Sequence, residues 1–200
     1  GAMYSSPRYL YNNSVIHNDY WYTYKDWDNN WYTRDFETGT LKDYIASNEN
    51  VNICYAGDWL FVSGGQEGSY FYYYFNTKTG VKMAAPTDKR VFFTYYEGPG
   101  IIRIYNYNSY YYYYQLFDIK TGVFYDIDYN LATQIDWENS YREGNFIYHL
   151  SRDGSDYKLN RYDITNGTNS VINTYSIGST YSRKISRLEN GNLVMFEFFY

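Results

Sequence analysis

The heptapeptide Leu116-Phe117-Asp118-Ile119-Lys120-Thr121-Gly122 decides the reading of this chain, because versions of it recur at Arg34 to Gly39, Phe75 to Gly80 and Tyr162 to Gly167. In each copy an Asp or Asn (Asp35, Asn76, Asp118, Asp163) stands four residues before the glycine. A Thr or Asn (Thr38, Thr79, Thr121, Asn166) stands immediately before it. This is turn chemistry. The side-chain oxygen accepts from backbone amides two or three residues on, and glycine takes the positive φ that a tight hairpin needs. The four glycines are spaced 41, 42 and 45 residues apart, so the turn marks a repeat.

A second mark phases the repeat. Asn18-Asp19-Tyr20, Gly57-Asp58-Trp59, Gly144-Asn145-Phe146 and Gly191-Asn192-Leu193 each place a tight turn before an aromatic or aliphatic run, and Gly98-Pro99-Gly100-Ile101 fills the same place in the third copy. Each repeat then reads as four strands, A to D. Copy one gives Ser14 to His17, Trp21 to Lys25, Trp31 to Phe36 and Leu41 to Ile45. Copy two gives Val51 to Tyr55, Trp59 to Ser63, Tyr70 to Phe75 and Val81 to Ala85. Copy three gives Arg90 to Tyr95, Ile101 to Tyr105, Tyr111 to Phe117 and Val123 to Asp128. Copy four gives Thr133 to Trp137, Phe146 to Ser151, Tyr157 to Tyr162 and Ser170 to Asn173. A fifth copy supplies only Ser182 to Leu188 and Leu193 to Phe199. Four short strands per unit at this period predict an all-β, five-bladed β-propeller of about 42 residues per blade. Tyr4 to Asn12 is expected to complete the last blade as its outer strand, covering an edge otherwise open to aggregation. A single domain over residues 4–200 is expected, with Gly1-Ala2-Met3 as the remnant of a cleaved tag.

Composition narrows the function. Aromatic residues make up 24% of the chain and 31 of them are Tyr, a residue that favours strands and buries its ring while keeping its hydroxyl wet. A formal net charge of −5 and the lack of any basic run argue against nucleic-acid binding. Cys54 is the only cysteine, which excludes an intrachain disulfide and a thiolate metal cluster; it is expected to be a buried small hydrophobe. No apolar run reaches the length of a transmembrane helix, so no membrane insertion is expected.

The strand, small turn and Asp-x-x-Thr-Gly hairpin resemble the Tol-system-type and YWTD-like propellers and the bacterial extracellular domains related to them, over residues 14 to 200. The usual Pro-Asp-Gly is absent. The resemblance implies a binding role at an extracellular or cell-surface location, toward proteins, glycans or peptidoglycan-associated partners.

In a propeller the end of strand A approaches the central channel. Here it carries Tyr55, Tyr96, Trp137 and Leu188, with His17 in the first copy, followed by Glu97, Glu138 and Glu189. These residues either form a ligand-facing ring of aromatics and carboxylates or pack between blades. Trp27, Trp31, Tyr107, Tyr110 and Trp137 add aromatic rings beside Asn, Asp and Gly in loops, suited to stacking on sugars or to protein contact. The candidate ligand-binding residues are therefore Trp27, Trp31, Tyr55, Tyr96, Asp136, Trp137 and Glu138.

A glycosidase needs two carboxyl groups at a set separation, and Asp136 is the only acid inside a predicted strand A. Asp26 to Asn30 begins like a calcium loop, but Trp31 replaces the sixth-position glycine and no glutamate stands twelfth. His17 and His149 have no zinc-ligand spacing. Asn12-Asn13-Ser14 and Asn166-Gly167-Thr168 match the N-glycosylation acceptor. The sequence thus points to a monomeric, non-catalytic, extracellular binding module with no cofactor and no metal, its ligand a glycan. The alternatives are a protein-interaction scaffold cut from a larger surface protein and a minimal glycoside hydrolase.

Overall fold

A computed structural model describes residues 15–46, 50–85, 89–108, 111–154, 156–176, 182–187 and 192–198. The described chain is all-β apart from one short helix, and its strands form five separate sheets. The first sheet joins β1 (Ile16–His17), β2 (Trp21–Lys25), β3 (Trp31–Asp35) and β4 (Leu41–Ile45) in chain order. The second joins β5 (Asn52–Ala56), β6 (Trp59–Gly64), β7 (Phe71–Asn76) and β8 (Val81–Ala85). The third joins β9 (Arg90–Tyr96), β10 (Ile101–Asn108), β11 (Tyr111–Asp118) and β12 (Val123–Ile127). Helix α1 (Tyr129–Gln134) follows, then a sheet of β13 (Tyr141–Glu143), β14 (Phe146–Asp153), β15 (Asp156–Asp163) and β16 (Thr168–Ser176). A two-stranded sheet of β17 (Ser182–Arg187) and β18 (Leu193–Phe198) ends the series.

The turn residues act as their chemistry requires. Gly39, Gly80, Gly122 and Gly167 have φ of 67°, 75°, 72° and 72°, and the amide of each donates to the carbonyl of the Asp or Asn four residues earlier. The side-chain oxygens of Asp35, Asn76, Asp118 and Asp163 accept from the amides of Thr38, Thr79, Lys120 and Thr165 at 2.9 to 3.2 Å. A further bond recurs in every four-stranded sheet. The amides of Phe36, Thr77, Ile119 and Ile164 donate to the carbonyls of Tyr20, Asp58, Gly100 and Asn145, which ties the C–D turn to the A–B turn at the same end of the sheet. Gly39 isolates the backbone term, since a Cβ there would meet nothing within 4 Å. Gly39→Ala is therefore expected to cost about 1 kcal/mol from its positive φ alone. In a chain of this size that lowers the melting temperature by roughly 2–4 °C.

The structure bears out part of the sequence reading and corrects it between residues 128 and 137. Among the described residues there are four sheets of four strands, not five, and the fifth copy contributes the two paired strands read for it. The expected outer strand Tyr4 to Asn12 lies outside the described residues. The segment Thr133 to Trp137 is not a strand: Asp128, expected to end a strand, instead caps α1 by accepting from the amides of Asn130 and Leu131, and the first strand of the fourth sheet is Tyr141–Glu143. The capping carboxylate and the good helix formers Leu131 and Ala132 override the alternating apolar pattern that Ile135 and Trp137 suggested. Cys54 is half-buried within β5.

The described residues up to Phe93, with 106–108, form one compact unit; residues 94–105 and those from 111 onward form another. The core of the first unit brings together Trp21, Ile45, Leu60, Val62 and Phe75. Its sheets are also joined by polar bonds: Thr23 Oγ1 with the Tyr55 hydroxyl at 2.8 Å, Asn18 Nδ2 to Thr77 Oγ1 at 2.7 Å, and the Tyr73 hydroxyl to Asp43 at 2.5 Å. The core of the second unit contains Ile101, Leu116, Ile127, Ala132, Ile135, Trp137, Ile147, Tyr162 and Ile164. Burial pushes the Tyr162 phenol up to about 12.

Candidate functional site

Within the second unit, the end of β9 and the loop after α1 form an open cavity of about 420 Å³. Tyr96, Glu97 and Gly98 line one side, and Trp137, Glu138 and Ser140 line the other. The backbones approach closely here: a Cβ on Gly98 would stand 2.8 Å from the Ser140 carbonyl oxygen, so only glycine admits this packing. Tyr96 and Trp137 stack with ring centroids 5.9 Å apart. Trp137 is anchored by its indole Nε1, which donates to the Ala132 carbonyl at 2.8 Å, and its own carbonyl accepts from Ser140 Oγ at 2.8 Å. The short helix thus positions the indole, because Ala132 lies in its last turn.

Burial pushes the Tyr96 phenol up, Arg103 pulls it down, and the Glu138 and Asp136 carboxylates add to the rise. Tyr96 therefore keeps its proton at neutral pH, and it lines a site edged by the exposed Glu97 and Glu138 carboxylates. The Arg103 guanidinium lies 5.3 Å from the Tyr96 ring centroid and 5.8 Å from that of Tyr114, a cation–π contact that helps hold the Tyr96 ring. The arrangement offers an aromatic floor beside carboxylates that accept hydroxyl hydrogens or face a cationic group.

Three candidate residues from the sequence, Tyr96, Trp137 and Glu138, are thus brought together. Trp137 is nevertheless only 3% exposed and belongs to the core, so it is not the open rim ring that the sequence suggested. Asp136 lies in the loop, not in a strand, where its carboxylate accepts from the amide and side chain of Asn139. The other candidates lie in the first unit. Trp27 is 59% exposed at the tip of the β2–β3 turn, which Asp26 closes by accepting from the Asn30 amide and side chain. Trp31 is half-buried against the core with the Lys25 ammonium 5.6 Å from its ring centroid. Tyr55 is half-buried and bonded to Thr23, and burial pushes its phenol up. Leu188, Glu189 and Tyr110 lie outside the described residues. No group of three or more metal-binding side chains occurs among the described residues, and no described helix is long and apolar enough to cross a membrane.

Sequence reasoning missed a buried polar cluster on the fourth sheet, centred on His149 and Asn160, which are 1% and 2% exposed. Polar residues at alternate positions of two core strands were the available signal.

Four consecutive four-stranded sheets, each closed by the same pair of turns, define a repeat β protein whose sheets fit the blades of a β-propeller. No family model and no curated protein matches the sequence. Solved structures similar to it include TolB from Acinetobacter baumannii (16% identity, 88% of this chain and 49% of that one, TM-score 0.36). They also include the N-terminal domain of Nup159 (13% identity, 90% and 51%, TM-score 0.40). A third is the beta-propeller domain of Cps50 (Swd1) from Myceliophteria thermophila (12% identity, 93% and 65%, TM-score 0.35). The chain spans about half the length of the first two and less than two thirds of the third.

Proposed function

We propose that this chain is a non-catalytic binding module of the extracellular or cell-surface class, in which the sheets serve as propeller blades and β17 with β18 begins a fifth. The ligand proposed is a glycan. The observation that carries this reading is the stacked Tyr96–Trp137 pair lining one cavity with Glu97 and Glu138. Aromatic surface takes the apolar face of a sugar while carboxylates accept its hydroxyls. Tyr96 supplies the accessible ring, and Trp137 holds it in place.

The test is a glycan array followed by calorimetric titration of the best binder. Glu97→Gln and Glu138→Gln are each expected to weaken binding about tenfold, close to 1.4 kcal/mol, with unchanged melting curves. A blank array, or glycan affinity indifferent to both substitutions, sinks this reading. Turnover of aryl glycosides would overturn the non-catalytic part of it.

A protein-binding scaffold is the second reading, favoured by the tyrosines of the first sheet. Tyr22, Tyr24, Tyr32 and Tyr44 adjoin across β2, β3 and β4 with successive centroid separations of 6.0, 5.4 and 5.1 Å, and Tyr44 is 50% exposed. Tyr24 is buried at 5% exposure and backs the row, and the tyrosine surface that Tyr22, Tyr32 and Tyr44 present over it suits protein contact. Tyr44→Ala separates the two readings, since it leaves the Tyr96 cavity intact.

A further inference from the structure

The core-facing side of the fourth sheet changes character along its length. Ile147 pairs with Tyr162 in the apolar core, His149 then pairs with Asn160, and Ser151 with Lys158. Those last two pairs open onto a cavity of about 480 Å³, which Gln134 and Asn169 also line. This volume lies in the usual range for a small-molecule pocket.

The hydrogen bonds in this cluster have a fixed direction. Asn169 Nδ2 donates to Asn160 Oδ1 at 3.4 Å, so Asn169 Oδ1 faces His149 and accepts from Nε2 at 3.1 Å. With Asn169 in this orientation the imidazole proton sits on Nε2, and Nδ1 is buried out of contact with solvent. Burial lowers the pKa of His149, against the bond to Asn169, so the ring is neutral at pH 7. Asn160 Nδ2 donates in turn to Ser151 Oγ and to the Lys158 carbonyl, both at 2.8 Å. Ser151 Oγ is already an acceptor, so its own proton is directed elsewhere. Lys158 Nζ donates to Asp153 Oδ2 at 2.6 Å and keeps two further hydrogens.

The cavity therefore interleaves donors (the Ser151 hydroxyl, the Lys158 ammonium, the Arg152 guanidinium, the Gln134 amide nitrogen) with acceptors (second lone pairs on the Asn160 and Asn169 oxygens, the Gln134 amide oxygen, the Asp153 carboxylate). An anion only accepts; it would find the Lys158 and Arg152 cations but also the Asp153 carboxylate, and would leave the amide oxygens unmatched. A metal cation would meet the Lys158 ammonium. A hydroxyl group both donates and accepts, and adjacent hydroxyls on one ring satisfy both sets. Apart from the imidazole, no aromatic ring lines the cavity, so ring stacking does not contribute.

We propose that the cavity over His149, Ser151, Lys158 and Asn160 is a second binding site, specific for a polyhydroxylated saccharide recognised through its hydroxyl pattern. It stands on residues separate from the Tyr96–Trp137 cavity, and it holds or fails independently of the function read there.

The test is a nuclear magnetic resonance titration of the whole ¹⁵N-labelled chain with glucose, galactose, mannose, fucose and N-acetylglucosamine. Sodium acetate and inorganic phosphate at matched ionic strength form the anion arm. At least one sugar is expected to shift the His149 ring and the Asn160 and Asn169 side-chain amide signals saturably. Ser151→Ala and Lys158→Met are each expected to raise its Kd at least tenfold with the remaining backbone spectrum unchanged. Neither residue is fully buried, and Lys158→Met carries the test alone if the serine variant fails to fold. The proposal is overturned if no sugar moves these signals, if only acetate or phosphate does, or if the folded variants bind as tightly as the parent.

Discussion

Replacing Trp137 with alanine is expected to remove about 3–5 kcal/mol from the unfolding free energy, the ordinary cost of emptying a buried tryptophan site. The indole is 3% exposed and packs in the core that holds Ile101, Leu116, Ile147 and Tyr162. It also loses its stack on Tyr96 and leaves the Ala132 carbonyl without its donor. Domains of this kind are stable by only about 5–15 kcal/mol, so a loss of this size shifts the urea midpoint far down or abolishes the folded state at 37 °C. Trp27 is the control: at 59% exposure on a turn tip, its replacement by alanine is expected to change stability by no more than about 0.5 kcal/mol. Equal midpoints for the two variants would show that the indole at 137 is not a core residue.

Asp118→Ala is expected to be nearly as costly, although the equivalent change at Asp35 is mild. Asp118 is 1% exposed and receives the Arg142 guanidinium at 2.7 Å, besides bonds from Thr121 Oγ1 and the Lys120 amide. Removing it leaves Arg142, whose side chain is 13% exposed, largely buried without its partner, at a cost of roughly 3–5 kcal/mol. Asp35 sits at the same place in its turn but is more exposed, and it loses turn hydrogen bonds and a 3.9 Å ion pair with the solvent-accessible Lys42, about 0.5–1.5 kcal/mol. The double change Asp118→Ala with Arg142→Ala is expected to cost less than the sum of the single changes, because it removes the stranded charge as well.

The same pair sets an acid dependence. Burial pushes the Asp118 carboxyl up, but the bonds from Arg142, Thr121 and Lys120 outweigh it and hold the group below its ordinary value. A carboxyl depressed by folding contributes stability that is fully present above the unfolded pKa of about 3.9 and disappears as pH falls through the folded one. The difference in urea midpoint between the parent and Asp118→Ala should therefore be constant from pH 7 to about 5 and shrink in acid. A gap that widens below pH 4 would show the sign to be wrong.

Much of this fold is legible because its decisive contacts are local. Each of the turns ending at Gly39, Gly80, Gly122 and Gly167 is built from bonds between residues two to four apart, and the hairpin registers on either side follow from alternation that the turns phase. Trp27 is readable as an exposed loop ring for the same reason: Asp26 and Asn30, its near neighbours, close the loop under it. The segment 128–137 was misread because the local signals conflict there. A single capping carboxylate at Asp128 competes with strand-like spacing at Ile135 and Trp137, and core contacts with distant strands decide the outcome.

What tertiary structure alone decided is which copies of a shared motif differ. Nothing beside Asp118 in the chain distinguishes it from Asp35, Asn76 or Asp163; its partner Arg142 comes 24 residues later, from another sheet of the same unit. The Tyr96 cavity likewise joins two segments about forty residues apart, and the polar cluster needs His149, Asn160 and Asn169 from three neighbouring strands to satisfy one another. Turns are written in the chain because their energy is local; burial, ion pairing and cavities are not, because a side chain acquires its dielectric and its partners only when distant strands pack around it.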